Sequence, residues 1–284
     1  MIPPEFEYVA PGSVGEAVAA LAADEDAKVL AGGQSLIPVL RLRLSYPTTL
    51  VDLRKVEELR GVREEGDTLV IGAMTRHADV VQDPLVRQYA ALVADATATV
   101  ADPAVRHRGT FGGALAHADP AGDLAAVALA LDAQLVAEGP GGRRTIPAAD
   151  FFEDYLQTSL QPDELLVEVR IPKLQGDWGV RYEKFNRVAQ AWAIVASAVA
   201  VRRENGSIAE ARVGLTNMGP TPVRATGVEE ALRGAPAELG AVAEAAARAA
   251  EGTTPPEDLN GRADYRRHLA QVLTRRAVAH AAGL

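Results

Sequence analysis

The chain has 284 residues, 48% of them apolar and 24% charged, with a formal net charge of −9. This is an ordinary globular composition, long enough for two or three compact units, and it lacks both the basic footprint of a nucleic-acid binder and any sign of disorder. The absence of cysteine excludes a disulfide framework, a thiolate zinc site, a catalytic cysteine and a cysteine-held iron–sulfur cluster on this chain.

No basic-then-apolar leader and no 18-residue apolar run are present, so no integral membrane segment is expected and a cytoplasmic location is. The five histidines, His77, His107, His117, His268 and His280, form no H-E-x-x-H pair. His117 and Asp119 have the spacing of metal ligands, but no third ligand accompanies them, and no metal is expected.

Taken in order, Ser13 and Glu16 have the spacing of a capping box, followed by Ala17, Val18, Leu21 and Ala22 on one helical face. Lys28-Val29-Leu30 reads as a short strand running into Ala31-Gly32-Gly33-Gln34-Ser35. Paired glycines after a strand either make a simple turn or set a row of amides for phosphate oxygens, with Gln34 and Ser35 as side-chain donors. Leu36 to Leu44 is apolar with Arg41 and Arg43 interleaved, until Tyr46-Pro47 breaks the run. Leu50–Leu53 is a strand, and Leu59–Arg63 with Thr68–Ile71 suggest a hairpin about Glu65-Gly66-Asp67. A helix starts near Arg76 or His77. Asp83 and Pro84 then suit the cap and first residue of a second helix running through Leu92 to about Val100.

Asp102-Pro103 breaks that helix, and Val105 to Gly109 leads into a second glycine segment, Thr110-Phe111-Gly112-Gly113-Ala114. An apolar helix follows over Leu124–Leu131. Asp119 and Asp123 fall near its start, where each is a cap, or, for Asp123, an acceptor for ribose hydroxyls beside a phosphate loop. Strands at Gln134–Glu138 and Arg143–Ile146 flank a Gly139–Gly142 hairpin turn; Ala149–Tyr155 reads as a short helix and Glu164–Ile171 as a strand stopped by Pro172. Polar, Pro and Gly residues at 173–179 mark a boundary. It gives one domain over 1–173, with subdomains of about 1–54 and 55–173, and a second over 178–284. The second reads as three strands (Val180–Phe185, Ala193–Arg202, Ile208–Thr216), with an Asn205-Gly206 hairpin turn, then three helices near 227–232, 237–250 and 262–280.

The ordered set Ala31-Gly32-Gly33-Gln34-Ser35-Leu36-Ile37-Pro38, Val51-Asp52-Leu53, Arg106-x-Arg108-Gly109, Thr110-x-Gly112-Gly113, Ala118-Asp119-Pro120-x-x-Asp123-Leu124 and Tyr182-x-Lys184-x-x-Arg187 resembles the FAD-binding (medium) subunits of the molybdenum hydroxylases. That family includes the carbon monoxide dehydrogenase and xanthine dehydrogenase flavoproteins, and the likeness covers essentially the whole chain. The resemblance implies an α+β fold: a two-subdomain FAD-binding domain of the vanillyl-alcohol-oxidase type, then a three-stranded antiparallel sheet with a helical bundle. It implies FAD contacts at Lys28, Val29, Leu30, Ala31, Gly32, Gly33, Gln34, Ser35 and Leu36, with Gly32 to Ser35 at the pyrophosphate. A second set is Thr110, Phe111, Gly112, Gly113 and Ala114, with Asp123, Leu166 and Lys184 beyond it, Lys184 near the isoalloxazine. The alternative for Lys184 is an exposed strand lysine.

Two positions depart from the family. Ala114 stands where Asn is common, and Ala191-Trp192 where an acidic residue often precedes an aromatic one; Trp192 either shields a flavin face or packs in the core. The implied role is electron relay within an oxidoreductase, with no catalytic residue on this chain. A large partner holds the molybdenum cofactor and a small partner holds [2Fe–2S] clusters; FAD passes their electrons to an external acceptor, in a dimer of heterotrimers. Rival readings are a stand-alone FAD-dependent reductase or oxidase on the same scaffold, and a non-catalytic nucleotide-binding assembly protein.

Overall fold

The computed structural model describes residues 2–284. Its first layer is a parallel three-stranded sheet. β1 (Glu7–Val9) leads through α1 (Val14–Ala22) to β2 (Lys28–Leu30), and α2 (Leu36–Arg41) returns the chain to β3 (Thr49–Asp52), which lies between the other two. Ser13 Oγ accepts from Glu16 N at 3.2 Å, while the Glu16 carboxylate accepts from Gly12 N at 2.7 Å, one residue further out than a regular capping box. Val14, Ala17, Val18 and Leu21 then repeat at helical spacing, and α1 buries that face among Val51, Val136, Leu165 and Val167. One helix thereby joins the first sheet to the second.

The second sheet has five strands, in the order β4-β5-β10-β6-β7, all antiparallel. β4 (Val62–Glu65) and β5 (Thr68–Gly72) form the expected hairpin, but β4 begins later than its apolar residues suggest. Leu59 instead ends a 3-10 turn, buried, with its carbonyl accepting from Met74 N. Six helices are inserted before β6: α3 (His77–Gln82), α4 (Pro84–Tyr89), α5 (Ala91–Ala98), α6 (Pro103–Arg106), α7 (Phe111–His117) and α8 (Asp123–Ala130). Asp83 caps α4, accepting from Leu85 N at 2.8 Å and Val86 N at 3.2 Å, with Pro84 in the first turn. The single helix expected from there to Val100 is two, because Ala90 leaves helical geometry at φ −144, ψ 49. No Gly or Pro marks that break; Ala90 is fully buried, so tertiary packing sets it. Asp102-Pro103 opens a further turn, Asp102 accepting from Val105 N at 2.9 Å.

After α8 come β6 (Gln134–Gly139), β7 (Gly142–Pro147), α9 (Ala148–Phe151), β8 (Phe152–Asp154), β9 (Gln157–Thr158) and β10 (Leu165–Pro172). The helix expected over 149–155 stops at Phe151, and the chain continues as the small β8–β9 hairpin.

The C-terminal sheet comprises β11 (Trp178–Phe185), β12 (Val195–Glu204), β13 (Ser207–Thr216) and β14 (Val223–Arg224). It therefore has four strands rather than three; the fourth is a two-residue pairing against Gly214 and Leu215, too short to leave a sequence pattern. Asn205 and Gly206 take φ 51 and 80, as the β12–β13 turn demands. α10 (Thr226–Leu232), α11 (Leu239–Ala246) and α12 (Ala263–Ala281) cover one side of this sheet, and α5 and α8 from the preceding segment cover the other. Hence β12 is buried on both faces from Val195 through Val201, apolar except for Ser197, whose hydroxyl pairs with that of Thr274 at 3.0 Å. In α8, Asp123 to Ala128 and Ala130 are all buried, which leaves that helix no polar face. Among the described residues no helix is long and apolar enough to cross a membrane.

Candidate functional site

The segment from Lys28 to Leu36 leaves the first sheet at the carboxyl end of β2. Lys28 and Gln34 are exposed; Val29, Leu30, Ala31, Gly32, Gly33, Ser35 and Leu36 are half-buried. Gly33 takes φ +74, the left-handed conformation that reverses the chain into α2. Gln34 Nε2 folds back to donate to Gly32 O at 3.3 Å, and Ser35 precedes α2 without a side-chain cap bond. Ile37 N donates to Gly33 O at 3.1 Å, but among the described residues the amides of Gly32, Gly33, Gln34, Ser35 and Leu36 find no protein acceptor. Consecutive free amides around a tight turn are a binding place for anionic oxygens.

The second segment has a different local structure from the loop expected. Thr110, 4% exposed, is the N-cap of α7, and Phe111 to Ala114 form its first turn. The amides of this turn are already engaged. Phe111 N donates to Thr75 O and Gly112 N to Ala73 O, both at 2.9 Å; Gly113 N donates to Thr110 Oγ1 at 3.2 Å and Ala114 N to Thr110 O at 3.0 Å. The glycines serve close packing. A Cβ on Gly112 would stand 2.5 Å from that of Ala73. One on Gly113 would meet Thr110 Oγ1 at 2.6 Å and Ala31 Cβ at 3.3 Å, and one on Gly32 would fall on the Arg108 carbonyl and 2.7 Å from Gly109 Cα. The two glycine segments are thus pressed against each other, the first with free amides and the second as its support.

Asp123 and Lys184, from α8 and β11, also come together. Lys184 Nζ donates to Asp123 Oδ2 at 2.8 Å and to Thr99 O at 3.1 Å, while Tyr182 Oη donates to Asp123 Oδ1 at 2.7 Å. The side chains of Lys184 and Asp123 are 5% and 2% exposed, so Lys184 is not a surface lysine, and the N-cap of α8 is Gly122 rather than Asp123. Burial pushes the Asp123 carboxyl up, while Lys184 and Tyr182 pull it the other way. Burial beside that carboxylate holds the Tyr182 phenol well above its ordinary range, so it remains a donor. Tyr182 stands in the Tyr182-x-Lys184-x-x-Arg187 motif, but sequence reasoning gave it no place at the site. It lies two positions from Lys184 on one strand and hence on the same face, which was the available signal. Leu166 is a core residue, 4% exposed, at a register shift in β10.

The glycine segments meet at the N-terminal end of α7, seven residues and about 10 Å long, and its C-terminal end leads through residues 118–122 to Asp123. Beyond the C-terminal end of α7, Asp119 Oδ1 accepts from Ala121 N at 2.9 Å and shapes the turn into α8, whose N-cap is Gly122. Trp192 stands over this turn, 52% exposed, with its ring 6.4 Å from that of His117; it is not a core residue. Two clefts flank the region. One of about 560 Å³ is lined by Asp119, Pro120, Arg187, Trp192 and Asn217, and one of about 460 Å³ by Thr99, Asp102, Arg106, Tyr182 and Lys184. Neither is lined by the glycine turns, which free amides mark instead. Among the described residues no group of three His, Cys, Asp or Glu side chains is placed to hold a metal.

His77 secures the support from below. Its amide donates to Gly109 O at 2.9 Å, its ring lies where a Gly109 Cβ would stand, and its Nδ1 is buried without a partner. Burial, with Arg106 nearby, pushes its pKa down to about 4, which makes it a neutral imidazole at physiological pH.

Known proteins resemble this chain over its whole length. Residues 4–174 match the FAD binding domain in molybdopterin dehydrogenase, and residues 180–281 match the CO dehydrogenase flavoprotein C-terminal domain. The carbon monoxide dehydrogenase medium chain of Hydrogenophaga pseudoflava is 45% identical over 98% of this chain and 97% of its own. Caffeine dehydrogenase subunit beta of a Pseudomonas species is 38% identical over 99% and 96%. A chain in the structure of reconstituted CO dehydrogenase from Oligotropha carboxidovorans superposes with a TM-score of 0.97 at 38% identity, covering 100% of this chain and 99% of that one.

Proposed function

We infer, because this chain belongs to the family of flavoprotein (medium) subunits of the molybdenum hydroxylases, that it binds FAD and relays electrons within a larger oxidoreductase. The observation that carries the reading is the run of free amides from Gly32 to Leu36, backed by the first turn of α7. On this reading the FAD diphosphate takes those amides, with Lys28, Val29, Leu30 and Ala31 leading into the turn. Thr110, Phe111, Gly112 and Gly113 hold the turn in shape, and Ala114, lacking a side-chain donor, contributes only backbone and methyl surface. Asp123, Leu166 and Lys184 belong to the flavin end. Lys184 spends two of its three N–H groups on Asp123 and Thr99, which fixes its position and leaves one for a ligand.

Bound FAD supplies a carrier able to accept electrons singly and release them in pairs. The protein's part is to hold the cofactor, place charge beside it and limit water; no side chain is arranged as a nucleophile or as a general acid–base pair. We assign the molybdenum cofactor to a large partner subunit and the [2Fe–2S] clusters to a small one, in a dimer of heterotrimers located in the cytoplasm, with an external acceptor discharging the FAD. Residues 1–173 and 178–284 serve as the two domains of this carrier, and the second brings Lys184 and Trp192 to the first. Substrate choice falls to the large subunit, which is why chains this alike serve carbon monoxide and caffeine dehydrogenases.

The test is a visible absorption spectrum of the chain, purified alone and co-expressed with both partners, followed by identification of what heat releases. Stoichiometric FAD in either preparation is expected. A chain that remains colourless in both, and takes up no added FAD, overturns the reading.

A further inference from the structure

α8 is followed by a residue that the helix itself disfavours. Asp132 lies two positions beyond Ala130, at φ 51, and Ala133 N donates back to Ala128 O at 2.9 Å. This is the left-handed helix stop that glycine usually occupies. A carboxylate there also faces the negative end of the helix dipole. The reason for the charge lies in the other domain. Arg212 Nη1, from β13, stands 3.1 Å from Asp132 Oδ2. Arg224 Nη1, from β14, donates to Asp132 Oδ1 and to Leu129 O in the last turn of α8, each at 2.7 Å. Both arginines are held within their own domain. Arg212 Nε donates to Glu210 at 2.9 Å, and its guanidinium lies over the Trp178 ring, 5.1 Å from the centroid. Arg224 Nε donates to Glu229, whose carboxylate also accepts from Val213 N at 2.7 Å.

The same sheet holds α8 at its middle and at its first turn. Gly214 of β13 lies so close that a Cβ there would stand 2.2 Å from Ala126 O. Tyr182 and Lys184 of β11 hold Asp123 at the start of the helix. Eight helical residues span about 12 Å, and a helix fixed at its end and its middle has little freedom at its beginning. Asp123 and Lys184 come from different domains, so their 2.8 Å contact depends on how α8 is seated. We propose that Asp132, Arg212 and Arg224 form a clamp that positions Asp123 against Lys184, and so fixes the charge presented to FAD. These are positioning residues; they act through the helix. The proposal rests on the reading of this chain as the FAD carrier.

The experiment uses the full-length chain, both free of FAD and in the FAD-loaded complex with its partners, with Asp132→Gly, Asp132→Asn and Arg224→Met. Glycine is the residue the turn prefers, so local physics alone has Asp132→Gly stabilise the chain and leave the flavin untouched. The clamp requires a different result. In the complex, Asp132→Gly and Arg224→Met each raise the FAD dissociation constant at least fivefold. Each also shifts the flavin reduction equilibrium at least threefold toward the oxidised form, because the lysine beside it is less firmly placed. Asp132→Asn, which keeps the turn and a neutral acceptor, falls between wild type and Asp132→Gly. Urea unfolding of the FAD-free chain tests the route. Sites this far apart normally act independently, yet Asp132→Gly and Lys184→Met together change the unfolding equilibrium constant at least fivefold less than the product of their separate effects. Independent effects in that cycle, or unaltered FAD affinity and reduction equilibrium in Asp132→Gly and Arg224→Met, overturn the proposal while the FAD reading stands. A wild-type complex that holds no FAD fails the earlier reading instead, and the unfolding cycle still decides whether the clamp positions Asp123.

Discussion

Replacing Lys184 with Met tests whether the Asp123–Lys184–Tyr182 cluster fixes the flavin end of the site. The ions are 2.8 Å apart and nearly inaccessible. At an effective dielectric constant of about 20 their attraction is about 6 kcal/mol, much of it offset by the desolvation of both groups. Removing one partner leaves Asp123 buried with a single hydroxyl donor at 2.7 Å, and breaking a buried pair in this way costs roughly 3–5 kcal/mol. The loss has a ceiling, because Asp123 escapes by taking up a proton. From an unfolded-state value near 3.9, protonation costs about 4 kcal/mol at pH 7 and about 1.5 kcal/mol at pH 5. A carboxyl whose folded pKa is raised contributes stability at low pH that is lost as pH rises, so the variant's deficit should grow from pH 5 to pH 7. The assay is urea unfolding of wild type and Lys184→Met, both without FAD, at the two pH values; titration of all other groups cancels in the difference. A deficit under about 1 kcal/mol at pH 7, or one equal at both pH values, would refute the cluster as drawn.

Three further outcomes can be checked on the same scale. Gly112→Ala forces a methyl to within 2.5 Å of Ala73 Cβ, an overpacking expected to cost about 1–3 kcal/mol in the FAD-free chain; unchanged stability with weakened FAD binding would assign Gly112 to cofactor approach instead. His77, held near pKa 4 against about 6.5 unfolded, binds fewer protons folded than unfolded between those values. Stability should therefore fall by about 3 kcal/mol from this group as pH drops from 6.5 to 4, and His77→Gln should flatten that part of the urea-midpoint profile. Thr110→Ala removes the cap on Gly113 N and should lower stability by about 1 kcal/mol, read from the thermal midpoint.

What the sequence made legible was local. The Asp83-Pro84 cap, the Asn205-Gly206 turn and the amphipathic face after Ser13 each depend on residues within a turn of one another, and the structure has them. The first glycine pair also read correctly as a turn after a strand, since Gly33 needs its positive φ for a local reason, but α2 directly beyond it was not read. The second pair has a reason the sequence did not show, a distant neighbour: Gly112 is small for Ala73, and Thr110 turns the segment into a helix start. Asp123 was legible as an acidic residue of note, but its partners lie 59 and 61 positions away, where no periodicity points. The break at Ala90 and the edge strand at 223–224 were hidden for the same reason, being consequences of packing and of a pairing too short to pattern.

The burial of α8, apolar beyond Asp123, bears on how this protein is made. The helix is synthesised well before β12 and β13, the strands it lies against, so on the ribosome its C-terminal-facing side has nothing to rest on until residue 216 has emerged. Early segments usually fold while later ones are still being translated. Here the first-made portion waits for the last-made sheet, and in the interval it displays the kind of surface that chaperones recognise. A ribosome stalled or a message cut between residues 174 and 180 would release an aggregation-prone polypeptide, with one side of α8 bare.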